Sequence, residues 1–366
     1  MRVALVADWL PLFAGAEHVI AELLKLWPDA PVFTTVARKS ALGPLANADI
    51  RVSALQFPFS LLRQHRILLP WMPMAMEAID LRGYDVIISS SHAVGKGIIP
   101  PGDAVHICYC HTPMRYAWEM EAEYLVDFRI PRPLQRPVKK FLKGMRRWDM
   151  TTAKRTDVFL ANSGSTQNRI REIYRRESVV IPPPAHDRFF AFPLPSRRDQ
   201  QNHPYLAIGR LVPYKRFDFL ITYANTYGLP ITIAGTGPEE RRLRRMAGST
   251  VRFLGFVPEE DLPRLYAHAR ALLFPQHEDA GIVPLEAQAC GTPVIAFARG
   301  GVLDAVRDDL TGILFSEQTL PSFRDALARF EKTSFDPLSI RTHAERFSSR
   351  RFRESILEIV QNTTGR

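Results

Sequence analysis

The chain has 366 residues, of which 46% are hydrophobic and 23% charged, with a formal net charge of +10 and a pI near 9.7. This composition excludes a disordered chain, and the length favours two domains of roughly 150 to 200 residues over a single core. The positive charge favours anionic partners such as nucleotides, phosphorylated lipids, an anionic membrane surface or nucleic acid.

The chain contains three cysteines, Cys108, Cys110 and Cys290. Two of them form a C-x-C within an apolar run, which predicts neither a disulfide framework nor a zinc site. We therefore expect reduced thiols and a cytoplasmic location. The N-terminal stretch MRVALVADWL lacks the pattern of a secretory signal and is interpreted as a buried strand. No stretch of the sequence reaches the ~18 apolar residues that a membrane-spanning helix needs.

Short apolar runs, each followed by a segment with helical spacing, predict parallel strands in both halves of the chain. In the first half they lie at 2–7, 31–35, 85–89, 104–109, 157–161 and 178–181. In the second half they lie at 205–209, 230–234, 251–254, 271–274 and 293–296. Strands that are apolar on both faces and alternate with helices predict two doubly wound α/β domains.

A segment rich in proline and polar residues, 181–204, separates the two halves and is typical of a linker. We predict a first domain over 1–185, a linker over 186–200 and a second domain over 201–344. Residues 345–366 have an amphipathic pattern that predicts a terminal helix, with no preference between the two domains.

The predicted strand ends of the second half carry polar and glycine-rich motifs, and ligands of doubly wound domains bind at such ends. In GRLVPYKRFD, the strand ends at Gly209, and Arg210 and Lys215 follow. Their side chains could clamp a pyrophosphate, or both could be solvated charges beside a helix start. In GTGPEERRL, Gly235 would let a ligand approach the backbone, but the incomplete G-x-G-x-x-G gives little support for a nicotinamide site.

The stretch HEDAGIVPLEAQACG, residues 277–291, contains two carboxylates in an E-x7-E pattern. We predict Glu278 on a loop and Glu286 in the first turn of a helix that Pro284 helps to start. The two could bind hydroxyls at opposite ends of a sugar nucleotide or act as an acid and base, and Glu286 could instead only complement the helix dipole. Backbone N–H groups at the helix start would cradle a phosphate. They belong to Gly281, Ile282 and Val283.

These motifs, together with WLPLFAGAEHVIAEL, YCHTPMRYAWEM and ANSGSTQNRIREIY in the first half, resemble the retaining glycosyltransferases of family 4. The similarity is greatest to the mannosyltransferases of bacterial O-antigen and exopolysaccharide synthesis. It covers nearly the whole chain, and the combination of R-x4-K with E-x7-E is specific. The resemblance implies the GT-B fold, in which two Rossmann-like doubly wound parallel-sheet domains face each other across a cleft. It also implies that the last helix packs back on the N-terminal domain.

The resemblance assigns a role to each motif residue of the second half. Arg210 and Lys215 would hold the donor diphosphate and neutralise the leaving group. Glu278 would bind the hydroxyls of the donor sugar beside the reacting centre, and Glu286 the hydroxyls of the ribose. Backbone contacts to the donor would come from Gly209, Gly235, Gly281, Ile282 and Val283.

In the first half, Gly15 corresponds to the glycine-rich loop of the family, although Ala14 stands where a second glycine is usual. His111 matches the family's catalytic histidine at the end of a strand. A lone histidine after an apolar run is more often structural, so the residues alone leave both roles open. His92, in SSSHAVGKG, is the candidate on the acceptor side.

The resemblance implies a donor of GDP-mannose and no metal or other cofactor, and the sequence has no D-x-D-like motif at a strand end. Alternative donors are UDP-GlcNAc, UDP-glucose and GDP-fucose. A nucleotide-sugar hydrolase or epimerase, with Glu278 and Glu286 as acid and base, is a second class of enzyme, and a sugar-nucleotide-binding module is a third possibility.

The implied acceptor is a polyprenyl-diphosphate-linked oligosaccharide at the inner face of the cytoplasmic membrane. The basic segment 132–150 has apolar residues on one helical face, which could meet anionic lipid or belong to the core. These residues are Phe141, Leu142, Met145 and Trp148. The apolar, basic, proline-broken segment 56–76 could also meet a lipid acceptor. We expect no nucleic-acid partner, because no recognition motif accompanies the charge.

Overall fold

A computed structural model describes residues 1–118, 132–196 and 203–365. The chain divides into two compact units, one of Met1–Pro182 with Arg353–Arg366 and the other of Pro183–Phe352. The quoted motif ending at residue 120 and the predicted linker 186–200 both extend into residues outside the described ones.

The first unit contains a sheet of seven parallel strands in the order β3-β2-β1-β4-β5-β6-β7. Its central strands are almost entirely buried, as parallel strands covered by helices on both faces must be. The strands are β1 (Val3–Ala7), β2 (Val32–Thr34), β3 (Ile50–Val52), β4 (Val86–Ser91), β5 (Val105–Cys110), β6 (Val158–Ala161) and β7 (Ser178–Val180).

Among the residues that the structure describes, six helices of the first unit precede the second unit in the chain. They are α1 (Gly15–Leu26), α2 (Gln56–Leu62), α3 (Met72–Glu77), α4 (Arg115–Trp118), α5 (Arg132–Thr152) and α6 (Gly164–Arg169). A 3-10 helix over His65–Trp71 joins α2 to α3, and a π-helical turn over Ile170–Tyr174 follows α6.

Helix α5 decides between the two interpretations of segment 132–150. Leu142 and Met145 are buried in the core of the first unit, and Phe141 and Trp148 pack against that core. The membrane interpretation of this face is therefore wrong, because its apolar side chains are already covered by the protein.

A buried ion pair joins α5 to the 3-10 turn Gly95–Gly97, which follows β4. The ammonium of Lys96 contacts the carboxylate of Asp149, and both side chains are almost completely buried. Asp149 also accepts hydrogen bonds from Trp118 Nε1 at 2.8 Å and from the hydroxyl of Tyr174 at 2.9 Å. Both oxygens of the carboxylate are thus satisfied, as burial of a charge requires.

The second unit contains a sheet of six parallel strands in the order β10-β9-β8-β11-β12-β13. The strands are β8 (Tyr205–Ile208), β9 (Ile231–Ala234), β10 (Val251–Gly255), β11 (Leu272–Phe274), β12 (Val294–Phe297) and β13 (Gly312–Phe315). The helices are α7 (Asp187–Ala191), α8 (Phe217–Tyr227), α9 (Glu240–Met246), α10 (Leu262–Ala267), α11 (Ile282–Ala289), α12 (Val302–Ala305), α13 (Leu320–Lys332) and α14 (Pro337–Ala344).

The last helix, α15 (Ser349–Thr364), contributes its residues from Arg353 onward to the first unit. There the guanidinium of Arg353 pairs with Glu22 of α1, and Ile356 and Val360 are buried. Helix α7 lies within the segment predicted to be a linker. Its Phe189 is buried in the core of the second unit, so this helix belongs to that unit.

The predicted doubly wound α/β class is confirmed, and each of the eleven predicted strands is present. Two strands were not predicted, β3 and β13. Within the part of the chain that the structure describes, no helix is both long and apolar enough to cross a membrane. The three cysteines are free and buried, two of them on β5 and Cys290 directly after α11.

Candidate functional site

The carboxyl ends of β8 and β9 approach each other through two glycines. Gly209 and Gly235 follow these strands with φ values of +146° and +129°, which disfavour any other residue. A Cβ on Gly235 would lie only 2.0 Å from the carbonyl oxygen of Gly209. The close contact between the two strand ends therefore depends on the missing side chain.

The side chain of Lys215 lies beside Gly209 and extends from a 3-10 turn over Pro213–Lys215, before α8. Its Nζ lies 2.9 Å from Oε1 of Glu278 in an ion pair whose side chains are 11% and 20% exposed. The same Nζ would be 2.8 Å from a Cβ on Gly209. Burial by itself would lower the pKa of Lys215, but the carboxylate of Glu278 outweighs it and the pKa is raised. Lys215 is thus a fixed cation at the end of β8.

Glu278 lies on the loop between β11 and α11, as predicted, and the backbone holds that loop in place. The N–H of Gly301 donates to the carbonyl oxygen of Glu278 at 2.9 Å. A Cβ on Gly300 would lie 2.1 Å from the same oxygen. The position of the carboxylate is therefore set by main-chain contacts that only glycine permits.

Helix α11 begins after Gly281, which is its N-cap in the left-handed conformation with φ +72°. The N–H groups of Ile282 and Val283 lie in the first turn, where helical N–H groups have no partner within the helix. Glu286 is the fifth residue of the helix and lies in its second turn. The predicted first-turn position is wrong, because the helix begins at Ile282 and Pro284 is its third residue.

Glu286 is half-buried and accepts a hydrogen bond of 2.7 Å from the hydroxyl of Tyr266. Burial raises its pKa to about 7, against the opposing effect of the Tyr266 hydrogen bond, and the charge of Glu259 adds to the rise. Glu286 therefore gains and loses its proton near neutral pH.

Arg210 follows Gly209 directly, is exposed, and forms no ion pair with any residue that the structure describes. The charge of Glu286 contributes to the raised pKa of Lys215. The structure thus places Lys215 in contact with Glu278 and beside Gly209, which in turn lies close to Gly235. Arg210 is adjacent to Gly209 in the chain, and Glu286 is near enough to affect the pKa of Lys215.

In the first unit, three predicted strands end in polar residues, Asp8 after β1, His92 after β4 and His111 after β5. The buried carboxylate of Asp8 accepts from Nδ1 of His92 at 2.8 Å and from its backbone N–H at 2.7 Å. Ser91 Oγ donates to the other oxygen at 3.0 Å. Burial alone would raise the pKa of Asp8, but the charge and hydrogen bonds of His92 hold it below its usual range.

The pKa values of His92 and His111 are shifted in opposite directions. Burial alone would lower the pKa of His92, but Asp8 outweighs it, so the pKa is raised. Burial lowers the pKa of His111 to about 3, helped by the positive charge of His92, whose ring centroid is 6.3 Å away. His111 Nε2 shares a hydrogen bond of 2.8 Å with Ser90 Oγ. His111 is therefore neutral at physiological pH, whereas the raised pKa of His92 favours its protonated form.

Gly15 is the first residue of α1, and Ala14 before it has a φ of −151°, which any residue can adopt. The N–H of Ala14 donates to Oε2 of Glu17 at 3.0 Å. Glu17 is buried, and burial raises its pKa. Sequence reasoning missed both Glu17 and Asp8. The spacing of Glu17, three residues after the helix cap, was a local signal, whereas Asp8 gave none.

Both halves of the chain match known family models. Residues 13–189 match the model described as Glycosyltransferase Family 4, and residues 195–348 match the model described as Glycosyl transferases group 1.

Curated relatives include D-inositol 3-phosphate glycosyltransferases. The protein of Geodermatophilus obscurus is 31% identical over 237 residues, which cover 55% of this chain and 51% of that protein. The protein of Saccharomonospora viridis is 40% identical over 115 residues, which cover 30% of this chain and 27% of that protein. The chain thus matches about half or less of the length of these relatives.

Solved structures match the fold over the whole chain. HepE of Anabaena in complex with UDP has a TM-score of 0.72 at 19% identity, covering 99% of this chain and 100% of that one. Sucrose-phosphate synthase of Thermosynechococcus elongatus has a TM-score of 0.71 at 18% identity, covering 100% of both chains. These likenesses confirm the predicted fold class, GT-B, with two Rossmann-like domains.

Proposed function

We propose that this chain, both halves of which match glycosyltransferase families on a GT-B fold, transfers a hexosyl group from a nucleotide sugar with retention at the anomeric carbon. The observation that carries the proposal is the ion pair of Lys215 and Glu278, 2.9 Å apart at the ends of β8 and β11 and just before α11. A cation, a helix N-terminus and a carboxylate side by side are complementary to a diphosphate that is joined to a sugar.

The chemistry follows from the charge that develops during transfer. As the bond between the anomeric carbon and the diphosphate oxygen breaks, negative charge grows on the phosphate, and Lys215, Arg210 and the N–H groups of α11 stabilise it. The leaving phosphate takes the proton of the acceptor hydroxyl, and the acceptor oxygen forms the new bond on the same face of the sugar. These cations supply the positive charge that the leaving group needs, so we propose a reaction without a metal or other cofactor.

We propose the remaining donor contacts from the motif resemblance. Glu278 accepts hydrogen bonds from the hydroxyls of the donor sugar and Glu286 from those of the ribose. The backbone of Gly209, Gly235 and residues 281–283 approaches the diphosphate.

His111 and His92 are proposed to act from the first unit. Because its pKa is about 3, His111 contacts the reacting sugar as a neutral hydrogen-bond partner and does not act as a general acid. The raised pKa of His92 favours its protonated form, which suits an acceptor with a phosphate or diphosphate group.

Two donors are supported by different observations. The motif resemblance favours GDP-mannose, as in mannosyltransferases of O-antigen and exopolysaccharide synthesis. The structures of HepE with UDP and with UDP-glucose favour a uridine nucleotide sugar.

For the acceptor, we propose a polyprenyl-diphosphate-linked oligosaccharide at the cytoplasmic face of the inner membrane. The name of the D-inositol 3-phosphate glycosyltransferases adds a phosphorylated polyol as a second candidate.

A thermal-shift panel of GDP, UDP, GDP-mannose and UDP-glucose, each with and without EDTA, tests the proposal. One nucleoside diphosphate and its sugar should raise the unfolding temperature selectively, since a ligand at 100 times its Kd stabilises by about 2.7 kcal/mol. EDTA should not change the shift. Absence of a response to all four ligands would refute the donor site, and loss of the shift in EDTA would refute metal independence.

Incubation with the responsive nucleotide sugar alone distinguishes a transferase from the hydrolase or epimerase. A transferase leaves the donor largely intact until an acceptor is added. Rapid, stoichiometric release or epimerisation of the sugar would instead favour Glu278 and Glu286 as an acid and base.

A further inference from the structure

Segment 56–76, which comprises α2, the following 3-10 helix and most of α3, has apolar residues on two sides. Its inner side is buried in the core of the first unit. The inner residues are Phe59, Leu68, Leu69, Met72 and Met76. These five side chains are sufficient to anchor the segment, so the core does not account for its remaining apolar residues.

The outer side exposes a second set of large apolar residues to solvent. Phe57 is 76% exposed, Leu61 71% and Met74 68%, and Leu62, Ile67 and Trp71 are each about half exposed. Phe57 and Leu61 are four residues apart on α2 and therefore share one face of that helix. Single exposed apolar residues are normal on a protein surface, but six within one short segment mark an interaction surface.

The charge of the segment indicates the kind of partner. Residues 56–76 include Arg63 and Arg66 and contain neither Asp nor Glu. Apolar side chains interspersed with arginines, with a tryptophan among them, suit the headgroup region of an anionic membrane. A symmetric contact with a second copy would instead bring the same arginines together, at an electrostatic cost.

We propose that segment 56–76 is the surface by which this protein docks on an anionic membrane, with Phe57, Leu61 and Trp71 inserted among the lipid headgroups. This inference rests in part on the proposed function, because that function includes a lipid-linked acceptor. Membrane binding itself requires neither donor nor acceptor, and the two proposals can therefore fail separately.

Vesicle flotation of the full chain tests the proposal. The wild-type protein should float with vesicles of phosphatidylglycerol and phosphatidylcholine, bind less to phosphatidylcholine alone, and bind less as salt is raised. The double variant Phe57→Ser/Leu61→Ser should bind at least about tenfold more weakly, because each side chain loses the gain of leaving water. The matched control is Phe256→Ser in the second unit, where Phe256 is 75% exposed, and it should float like the wild type.

Thermal unfolding and analytical ultracentrifugation of the same variants complete the test. Both variants should unfold at the wild-type temperature, since all three substituted side chains are exposed. The proposal is overturned if the wild type fails to float with anionic vesicles, or if the double variant floats as well as the control. It is equally overturned if the wild type binds no vesicles but self-associates in a way that the double variant abolishes.

The nucleotide response separates this proposal from the proposed function. The double variant should keep the thermal shift with the responsive nucleoside diphosphate. Vesicle binding in a protein that responds to no nucleotide would leave the membrane surface standing and refute the glycosyltransferase.

Discussion

Replacing Lys215 with methionine removes the cation at the strand ends of the second unit while keeping a side chain of similar length. In the structure its ammonium is 2.9 Å from the carboxylate of Glu278, and both groups are largely shielded from water. The substitution should weaken stabilisation of the leaving diphosphate and leave Glu278 without its counter-charge.

The expected size of the effect follows from the contact distance. Two unit charges 2.9 Å apart attract by about 6 kcal/mol at an effective dielectric constant of about 20, before the cost of removing them from water. A diphosphate oxygen in contact with Lys215 would gain a similar gross energy. Removal of one well-placed group of this kind costs about 3 to 4 kcal/mol in the transition state, or 10² to 10³ in kcat. Binding of the intact nucleotide sugar should weaken less, since the phosphate charge grows as the bond breaks.

Steady-state transfer at saturating donor, together with calorimetric titration of the intact nucleotide sugar, measures both effects. Lys332→Met is the matched control, because Lys332 is exposed at the end of α13. The reasoning is refuted if Lys215→Met turns over as fast as this control at saturating donor. A loss confined to donor affinity would mean that Lys215 acts only in ground-state binding.

Three further predictions concern buried charges. The pKa of Glu286 is about 7 in the folded protein against an ordinary 4.5, so the folded state binds more protons across this window and stability should fall as pH rises through it. By pH 8 the loss of stability should approach about 3 kcal/mol. Thermal unfolding of Glu286→Gln should lack this pH dependence, and an identical dependence in the variant would contradict the raised pKa of Glu286. Asp8→Asn should lower the pKa of His92, because burial is then opposed only by the charge of Glu17, and an NMR titration that finds it unchanged would rule out the ion pair. Lys96→Met should destabilise the protein by about 3 to 5 kcal/mol in denaturant unfolding by leaving Asp149 buried and unpaired, and adding Asp149→Asn should restore part of the loss; no recovery would mean that packing, not charge, is responsible.

The fold was largely predictable because buried parallel strands correspond to short apolar runs in the sequence. The two strands that were missed lack this pattern. In β3, Arg51 and Val52 are exposed at the edge of the sheet, so only Ile50 is buried. Strand β13 begins at Gly312, where a Cβ would lie 2.0 Å from the carbonyl oxygen of Val294. Glycine predicts a turn from sequence, whereas here it allows a close approach between neighbouring strands.

The candidate site was predictable where its residues share a strand end or a loop. Lys215 and Glu278 could be placed together because each follows a predicted strand in the same sheet. Asp8 was not predictable, because its partner His92 is 84 residues away and a single aspartate after a strand has no distinguishing pattern. The apolar face of α5 shows a further limit, since Leu142 gives the same helical periodicity whether a core or a membrane covers it.

Because all three thiols are buried, their reaction with an added reagent reports local opening of the native protein. A thiol reacts as the thiolate, and burial raises the pKa of Cys290 to about 12, so the folded protein should be nearly inert to alkylating reagents. Cys290 belongs to the second unit, and Cys108 and Cys110 belong to the first. Mass spectrometry of peptides labelled over time would therefore give the opening rate of each unit separately, in the unmodified protein and with or without a nucleotide.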